Sequence, residues 1–415
     1  MTSFRIKDVA RINRHVLPET TDPDFRFRYI DISSVDGLGN VSVPDSDTVF
    51  SSAPSRARRT ALPNSVLVST VRTYLRAVAV APDHEYPLVF STGFAILDAE
   101  PEVCSRFLGY YCRSQPFIDE VVARSTGVSY PAINASEIGN LPIWLPSLDE
   151  QLRIADFLDA ETARIDRLVD LQKRVVDKLN EREAAQLDIA IDELISRSAT
   201  APLRRFVWRV DQGVSPQCEA VPASDEEWGV LKVSCLRPGV FNPGENKRLP
   251  DDLQPERSSE VREGDLLITR ANTPQLVGST AVVPKVRSKL LLPDKIFRVR
   301  LSEGMMPEFV ATIARGSRIR SLSAAGSNGA SQSMANIRFE EVKGWPVPAV
   351  KRAAQEEFVD RIARSREQLD ALRSLVDRQI TLLSERRQAL ITAAVTGQFD
   401  VSTASGRNVT DGVQA

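Results

Sequence analysis

The stretch that decides the fold is Pro142-Ile143-Trp144-Leu145-Pro146 followed by Gln151, because the chain repeats it as Pro346-Val347-Pro348 followed by Gln355. From Pro142 onward the two copies run in one frame without a gap, 204 residues apart. Ile154 falls on Phe358, Leu158 on Ile362, Ile165 on Leu369, Leu168 on Leu372, Leu179 on Leu383 and Arg182 on Arg386. Upstream the match continues with small insertions. Tyr29-Ile30-Asp31-Ile32-Ser33 lies on Val230-Leu231-Lys232-Val233-Ser234, Val66-Leu67-Val68-Ser69 on Leu266-Leu267-Ile268-Thr269, and Val80-Ala81-Pro82 on Val282-Val283-Pro284. Solenoid repeats have periods of roughly 20–50 residues, so this one is a duplicated domain plus a duplicated helix. Such a chain can fold with pseudo-twofold symmetry and suits a target that itself has two separated halves.

After each proline segment the spacing turns helical. From about Ala353 to Thr396, Ile362, Leu369, Val376, Leu383 and Leu390 fall seven apart, with Phe358 and Leu372 on the same seam. That is a heptad seam of about five heptads. The earlier helix, from about Ser147 to Ser196, uses Leu158, Ile165 and Leu179 with Ile154, Leu168 and Val175. Gln172, Gln186, Glu161 and Arg182 interrupt its seam. A lone helix of about 45 residues, on the order of 65 Å at ~1.5 Å per residue, cannot bury its own stripe. The nearest partner is the other copy, which predicts an antiparallel coiled coil.

The blocks before the helices are β-rich. Phe27 to Ser33, Ser65 to Val71, Ala77 to Ala81 and Phe94 to Leu97 read as strands, separated by turn residues such as Asp36-Gly37 and Pro63-Asn64. Val103 to Ala123 reads as one helix with an aromatic core stripe. The second block repeats the plan, with strands at Val230 to Val233, Asp265 to Thr269, Thr280 to Val283 and Ile296 to Leu301, then a helix from about Pro307 to Leu322. The expected fold is α+β: a first head over 1–146, a spacer helix over 147–196, a second head over 202–350, a second spacer helix over 351–397, and a disordered tail over 400–415.

A chain of 415 residues, 42% hydrophobic and 26% charged, has the composition of an ordinary globular protein of two or three domains. No apolar run approaches the ~20 residues of a membrane helix, and Met1 to Ala10 lacks the core of a signal peptide. A cytoplasmic protein is expected. Four scattered cysteines (Cys104, Cys112, Cys218, Cys235) read as reduced, packed thiols rather than a disulfide framework. The net charge of −2 announces no nucleic-acid partner, but its distribution does. The stretches Ser51 to Ala81, Leu266 to Pro293 and Phe309 to Phe339 carry arginines and lysines and no acid, whereas Asp149 to Asp170 is rich in acids. Charge segregated in this way can hold phosphate while the total stays near zero.

Catalytic constellations are missing from the sequence. There is no GxxxxGK[ST] loop and no GxGxxG, and two histidines with unclustered cysteines do not make a metal site. Pro293-Asp294 with Glu341-Val342-Lys343 is the one nuclease-like fragment. Its spacing is long, and the first repeat has Thr92-Gly93 in place of Asp294-Lys295, which argues against a metal-dependent nuclease. The chain reads as a recogniser rather than a catalyst. Contact with phosphates and base edges needs arginine, lysine and amides on exposed loops. In the first head the candidates are Arg56, Arg58, Arg59, Arg72, Tyr74 and Arg76, with Ser125, Ser129, Tyr130 and Asn134 around a glycine-centred loop. In the second they are Arg270, Asn272, Gln275, Lys285 and Arg287, with Asn328, Ser331, Gln332 and Asn336 in the equivalent loop.

Three segments together resemble one known family. Leu141 to Gln151, followed by Arg153-Ile154-Ala155-Asp156-Phe157-Leu158-Asp159, is similar to the central conserved region of type I restriction–modification specificity subunits. Gly264 to Arg270 resembles that family's mid-domain signature, and Glu385 to Ile391 with Thr396-Gly397-Gln398 resembles its C-terminal end. The order is right and nearly the whole chain is covered. Two departures touch turn geometry: Lys351-Arg352-Ala353-Ala354 stands where the family prefers Leu-x-Glu, and Pro63-Asn64-Ser65 stands opposite Glu263-Gly264-Asp265. The resemblance implies two target-recognition domains on double-stranded DNA, each reading half of a bipartite sequence, and an antiparallel helical spacer between them. It implies partners in host defence and DNA methylation: two methyltransferase subunits carrying S-adenosylmethionine, and a restriction/motor subunit, using ATP and magnesium, that can join them. No cofactor is expected on this chain, and no catalysis. The alternative is a coiled-coil scaffold that pairs two protein partners, with the basic loops incidental.

Gln151–Leu194 and Gln355–Ala394 contain neither proline nor glycine, so the spacer is expected to be a rod. DNA advances ~34–36 Å per turn, so a rod on the order of 65 Å spaces half-sites roughly one to two turns apart. Inserting whole heptads after Leu179 and after Leu383 should lengthen the recognised gap and leave both half-sites unchanged. Selection from random DNA reads the gap directly, and an unchanged gap would rule out the rod as a ruler.

Overall fold

The computed structural model describes residues 3–127, 130–331 and 334–403. It forms two compact units: Met1–Lys173 with Asp377–Ala415, and Arg174–Val376. Each unit holds one head and one half of each long helix.

In the first unit a four-stranded antiparallel sheet runs Ala10–Ile12, Phe94–Ala99, Val66–Ser69, Val78–Val80. Val66–Ser69 is buried at every position, because both faces of the sheet are covered. Side chains alternate across a strand. Val66 and Val68 therefore join Phe107, Leu108 and Ile118 of the helices on one face, and Leu67 joins Ile30, Phe90 and Ile96 on the other. A second sheet runs Thr48–Val49, Arg26–Ile30, Leu88–Ser91, Ala57–Arg59. Its middle pair is parallel, with Arg28 opposite Leu88 and Ile30 opposite Phe90. Ser3–Arg5 then pairs antiparallel with Pro142–Trp144, the strand that leads into the first long helix.

The second unit is built on the same order. Its antiparallel sheet runs Val207–Gln212, Ile296–Leu301, Leu266–Thr269, Thr280–Val282. Its second sheet is Asn246–Arg248, Gly229–Leu231, Leu290–Leu291, again with a parallel pair, and Thr200–Pro202 pairs with Pro346–Pro348. It adds a hairpin, Leu236–Arg237 with Val240–Phe241. It also adds a small sheet in which Met334–Asn336 lies between Ala271–Asn272 and Asn328–Ser331.

The structure corrects several expectations. The helix expected over Val103 to Ala123 is two, Ser105–Arg113 and Gln115–Ala123. Ser114 between them is extended (φ −67°, ψ 150°), and Pro116 lies in the first turn of the second helix, where its missing N–H costs nothing. The helix expected from Pro307 to Leu322 is likewise Pro307–Ile313 and Ser317–Ala325, broken at an extended Gly316. The strand expected over Phe27 to Ser33 ends at Ile30, where Asp31 opens a 3-10 turn by accepting Ser33 N–H. Of the tail expected to be disordered over 400–415, Val401–Thr403 is a 3-10 turn; just before it, Phe399 packs 5.7 Å from Phe157. Residues 404–415 lie outside the described residues.

The two long helices span Leu148–Ser196 and Arg352–Val395. Within each unit they pair in opposite directions. In the first unit Asp166 meets Arg387 at 3.1 Å, and Phe157 meets Phe399. In the second, Glu183 meets Arg373 at 2.7 Å, Gln186 meets Ser365 at 3.0 Å and Glu193 meets Arg361 at 3.4 Å. The seam is apolar only near the heads. Ile154, Leu158, Ile165, Phe358, Ile362, Leu369 and Leu390 are buried, and Leu179, Val376 and Leu383 are half-buried. Leu168 and Leu372, placed on the seam by spacing, are 41% and 46% exposed. The physical reason is that ion pairs replace apolar contact at these levels. Glu183 gathers Arg315 of the head together with Arg366 and Arg373.

Each head also seats an arginine against the coil. Arg113 donates to the carbonyl of Leu38, beside Gly39 at φ +85°. Burial, with Arg387 close by, pushes its pKa down to about 10. Arg315 sits equivalently beside Gly239, at φ +74°. A side chain at either glycine would both strain the backbone and meet that arginine.

The described cysteines are free, and burial raises the thiol pKa of Cys112, Cys218 and Cys235. Among the described residues, no helix is long and apolar enough to cross a membrane. Phe309, fully buried and edge-on to Phe358 at 5.6 Å, joins head to coil in the second unit. Phe309→Ala should cost about 3–5 kcal/mol, whereas Leu372→Ala should change stability by less than about 0.5 kcal/mol. Urea unfolding of the two variants measures the contrast.

Candidate nucleic-acid interface

The carboxyl end of the parallel strand pair opens into a cleft in each head. In the first head the cleft is about 470 Å³ and is lined by Asp31, Ser33, Arg56, Val71, Arg72, Ser91 and Tyr130. In the second it is about 420 Å³ and is lined by Ser215, Gln217, Cys218, Lys232, Lys247 and Lys295 with apolar neighbours. The repeat aligns Asp31 with Lys232 and Ser33 with Ser234, so the same place in the fold carries opposite charge in the two heads.

Backbone hydrogen bonds build the rim. In the first head Thr70 N–H donates to Gly93 O at 2.8 Å, Ile133 N–H to Thr70 O at 2.9 Å, and Arg72 N–H to Pro131 O at 2.8 Å. This ties the glycine-centred loop to the 3-10 turn Thr73–Leu75, and the Thr73 and Ser125 hydroxyls lie 2.9 Å apart across the join. Arg72 and Arg76 flank that turn, both in the left-handed region at φ 50° and 54°. Tyr74, Leu75 and Tyr130 are exposed at its surface. The Arg72 guanidinium lies over the Tyr130 ring, 5.0 Å from its centre. Among the described residues no acid pairs with Arg56 or Arg72. Asp31, at the cleft floor, is partly buried, which favours its neutral form. Hydrogen bonds from Ser33 and Ser34 outweigh that and lower its pKa.

The residues singled out by sequence divide accordingly. Arg56, Arg72 and Tyr130 converge on the first cleft, with Tyr74 and Arg76 at its edge. Arg58 instead donates to its own neighbour, Ala57 O, and lies over Phe50 at 4.7 Å. Arg59 is half-buried in a strand beside Leu88–Ser91, and its pKa is lowered by that burial. Ser125 closes a helix end by donating to Val121 O at 2.7 Å. Asn134 caps the helix Ala135–Gly139 in a capping box with Glu137.

In the second head Arg270 is exposed and reaches Asp294 O at 3.5 Å. Asn272 lies in the small sheet, Gln275 and Lys285 are exposed, and Asn336 is exposed opposite Ala271. Arg287 is spent on the protein: it donates to Glu227 O at 3.0 Å and pairs with Asp225 at 3.7 Å. Asn328 and Ser331 belong to a strand in the same small sheet. Ser129 and Gln332 lie outside the described residues.

Sequence reasoning missed Lys232, Lys247, Lys295 and Ser215. Lys232 forms an ion pair with Glu245 at 2.9 Å. Lys295 follows Asp294, which holds Ser215. The available signal was the repeat itself, since Lys232 and Lys295 stand opposite Asp31 and Gly93. Among the described residues no group of three histidines, cysteines or carboxylates could hold a metal.

Two α+β heads that share a central sheet and a parallel strand pair, each with a cleft at the same strand ends and each followed by one of two antiparallel helices, define a duplicated two-headed protein. Residues 1–180 match the type I restriction modification DNA specificity domain. The chain is 32% identical over 171 residues to the EcoEI type I restriction enzyme specificity subunit of Escherichia coli; that match spans 41% of this chain and 29% of the relative. It is 22% identical over 328 residues to the EcoKI specificity subunit of Escherichia coli strain K12, spanning 75% and 69%. A chain from a solved type I R-M system, studied for complex assembly and conformational transition, shares the fold at a TM-score of 0.67 and 21% identity; the overlap spans 96% of this chain and 98% of that one. Residues 1–180 of the chain thus match a type I restriction modification DNA specificity domain, and the chain as a whole shares the fold of that solved structure.

Asn134→Ala removes a helix cap and should cost about 1 kcal/mol of stability without altering any base preference. A thermal melt together with DNA selection measures both, and a changed base preference would place Asn134 at the DNA after all.

Proposed function

We propose that this chain reads a bipartite double-stranded DNA target, one half-site per head, and presents it to methyltransferase subunits while catalysing nothing itself. The observation that carries the reading is the duplicated cleft: one architecture, occurring twice, lined by different polar residues. A scaffold pairing two like partners has no use for that divergence, whereas a reader of two different half-sites needs it. Arg56 and Arg72 in one cleft, and Lys247 and Lys295 in the other, supply the cations that phosphates and base edges require. The exposed faces of the long helices are where two methyltransferase subunits dock, and a restriction/motor subunit can join the assembly. S-adenosylmethionine, ATP and magnesium belong to those partners. The bacterial or archaeal cytoplasm is where such a complex works.

Filter binding of the purified chain to duplex DNA at rising salt tests the reading. A DNA reader loses affinity with a log–log slope of about −0.9 for each phosphate neutralised; a scaffold shows no specific retention. The same chain incubated with DNA, S-adenosylmethionine, magnesium and ATP should leave the DNA unmodified and uncut. Methyl label incorporated without a partner would overturn the non-catalytic part.

A further inference from the structure

The hydrogen-bond register of the two heads fixes which rim residues correspond. Thr70 donates to Gly93 O and accepts from Ile133; Arg270 donates to Lys295 O at 2.8 Å and accepts from Ile337 at 2.9 Å. Val71 bridges Ala132, and Ala271 lies opposite Asn336. One residue further on, Arg72 binds Pro131 O through its N–H, and Asn272 lies opposite Ala335. Arg72 and Asn272 therefore occupy the same point of the duplicated rim. Beside them, Tyr130 and Met334 also correspond, 65% and 45% exposed.

We propose that this shared position is a specificity determinant, with Arg72 reading a guanine in one half-site and Asn272 reading an adenine in the other. The inference rests on the DNA-reading function above and adds the base class to it. The two side chains differ in the way those bases differ. A guanidinium offers two parallel N–H donors, which match the O6 and N7 acceptors of guanine in the major groove. A carboxamide offers one donor and one acceptor, which match N7 and the N6 amino group of adenine.

The surroundings keep both side chains available. Among the described residues Arg72 has no acid partner, and the Tyr130 ring holds its guanidinium in place, which lowers the entropy lost on binding. Its left-handed backbone is a strained conformation for arginine, of the kind found where a function holds it. Asn272 accepts Thr273 N–H on Oδ1 at 2.9 Å. That leaves the second lone pair of Oδ1 for an amino group and the Nδ2 hydrogens for an acceptor.

Random-sequence duplex DNA selected on the purified full-length chain tests this, at about 0.1 M salt so that phosphate contacts do not swamp the bases. The wild type should enrich two blocks, one with an invariant guanine and the other with an invariant adenine. Arg72→Asn should move preference from guanine to adenine at that single position, a change of roughly 10- to 100-fold, and leave the second block intact. Asn272→Arg should do the reverse in the second block only. The unaltered block in each variant is its own check of folding. Asparagine also suits the left-handed backbone at position 72, and Arg72→Gln, with the same adenine preference expected, stands in if Arg72→Asn does not fold. A uniform loss of affinity across all sequences with a shallower salt slope would assign Arg72 to a phosphate and overturn the proposal. Unchanged blocks in all variants would overturn it too. A wild-type chain that enriches nothing would instead count against the DNA-reading function.

Discussion

Two buried carboxamides hold the architecture together. Gln151 is 1% exposed and Gln355 is fully buried. A buried amide is costly unless it is fully hydrogen-bonded, and here each bond joins a head to the long helix that follows it. Gln151 Oε1 accepts Cys104 N–H at 2.9 Å, and its Nε2 donates to Pro146 O at 2.9 Å. Gln355 accepts Met306 N–H at 2.9 Å and donates to Gly304 O at 2.8 Å and Val350 O at 2.9 Å. Cys104 and Met306 are the cap residues of equivalent head helices, so the same backbone donor is satisfied by the same side chain in both units. Because those helices lie against the central sheet, the orientation of the sheet, and of the cleft at its partner strands, is tied to the first turn of the coil.

Around that shared joint the two units use different chemistry. In the first, Arg387 meets Asp166 beside Arg113, whose pKa burial lowers. In the second, three arginines surround Glu183, with Asp370 paired to Arg366 and Arg373. Paired and hydrogen-bonded charges of this kind specify one geometry more than they add stability. Apolar burial supplies the stability at each joint: Leu158, Leu390 and Ala394 in the first unit, and Phe309, Phe358 and Ile362 in the second. The joint is thus constant where it must carry a backbone connection and free to vary where only side chains meet.

Much of this was legible in the sequence because duplication is. The frame from Pro142 onward aligned the two glutamines, the seam leucines and the proline strands before any contact was known, and apolar runs such as Val66-Leu67-Val68 marked strands buried on both faces. What spacing could not show was competition for a side chain. Arg59 and Arg287 look like Arg56 and Arg72 in a list of basic residues, yet one is absorbed by a strand and the other by carbonyls of the protein. Leu168 and Leu372 fit the heptad, yet charged neighbours hold the helices there and leave the leucines outside. Lys295 reaches the second cleft because Gly229–Leu231 pairs in parallel with the distant Leu290–Leu291, and Lys247 because it stands opposite Val230 on the antiparallel neighbour strand; no local pattern encodes either.

The leucines on the outside of the helices have a consequence for the life of the protein in a cell. Leu168, Leu171 and Val175 recur at helical spacing on one long helix, as do Leu372 and Leu375 on the other, and all are more than 40% exposed. Single exposed apolar residues are ordinary, but rows of them favour association with whatever apolar surface is nearest. Left uncovered, such rows draw one copy of the chain toward another as its concentration rises.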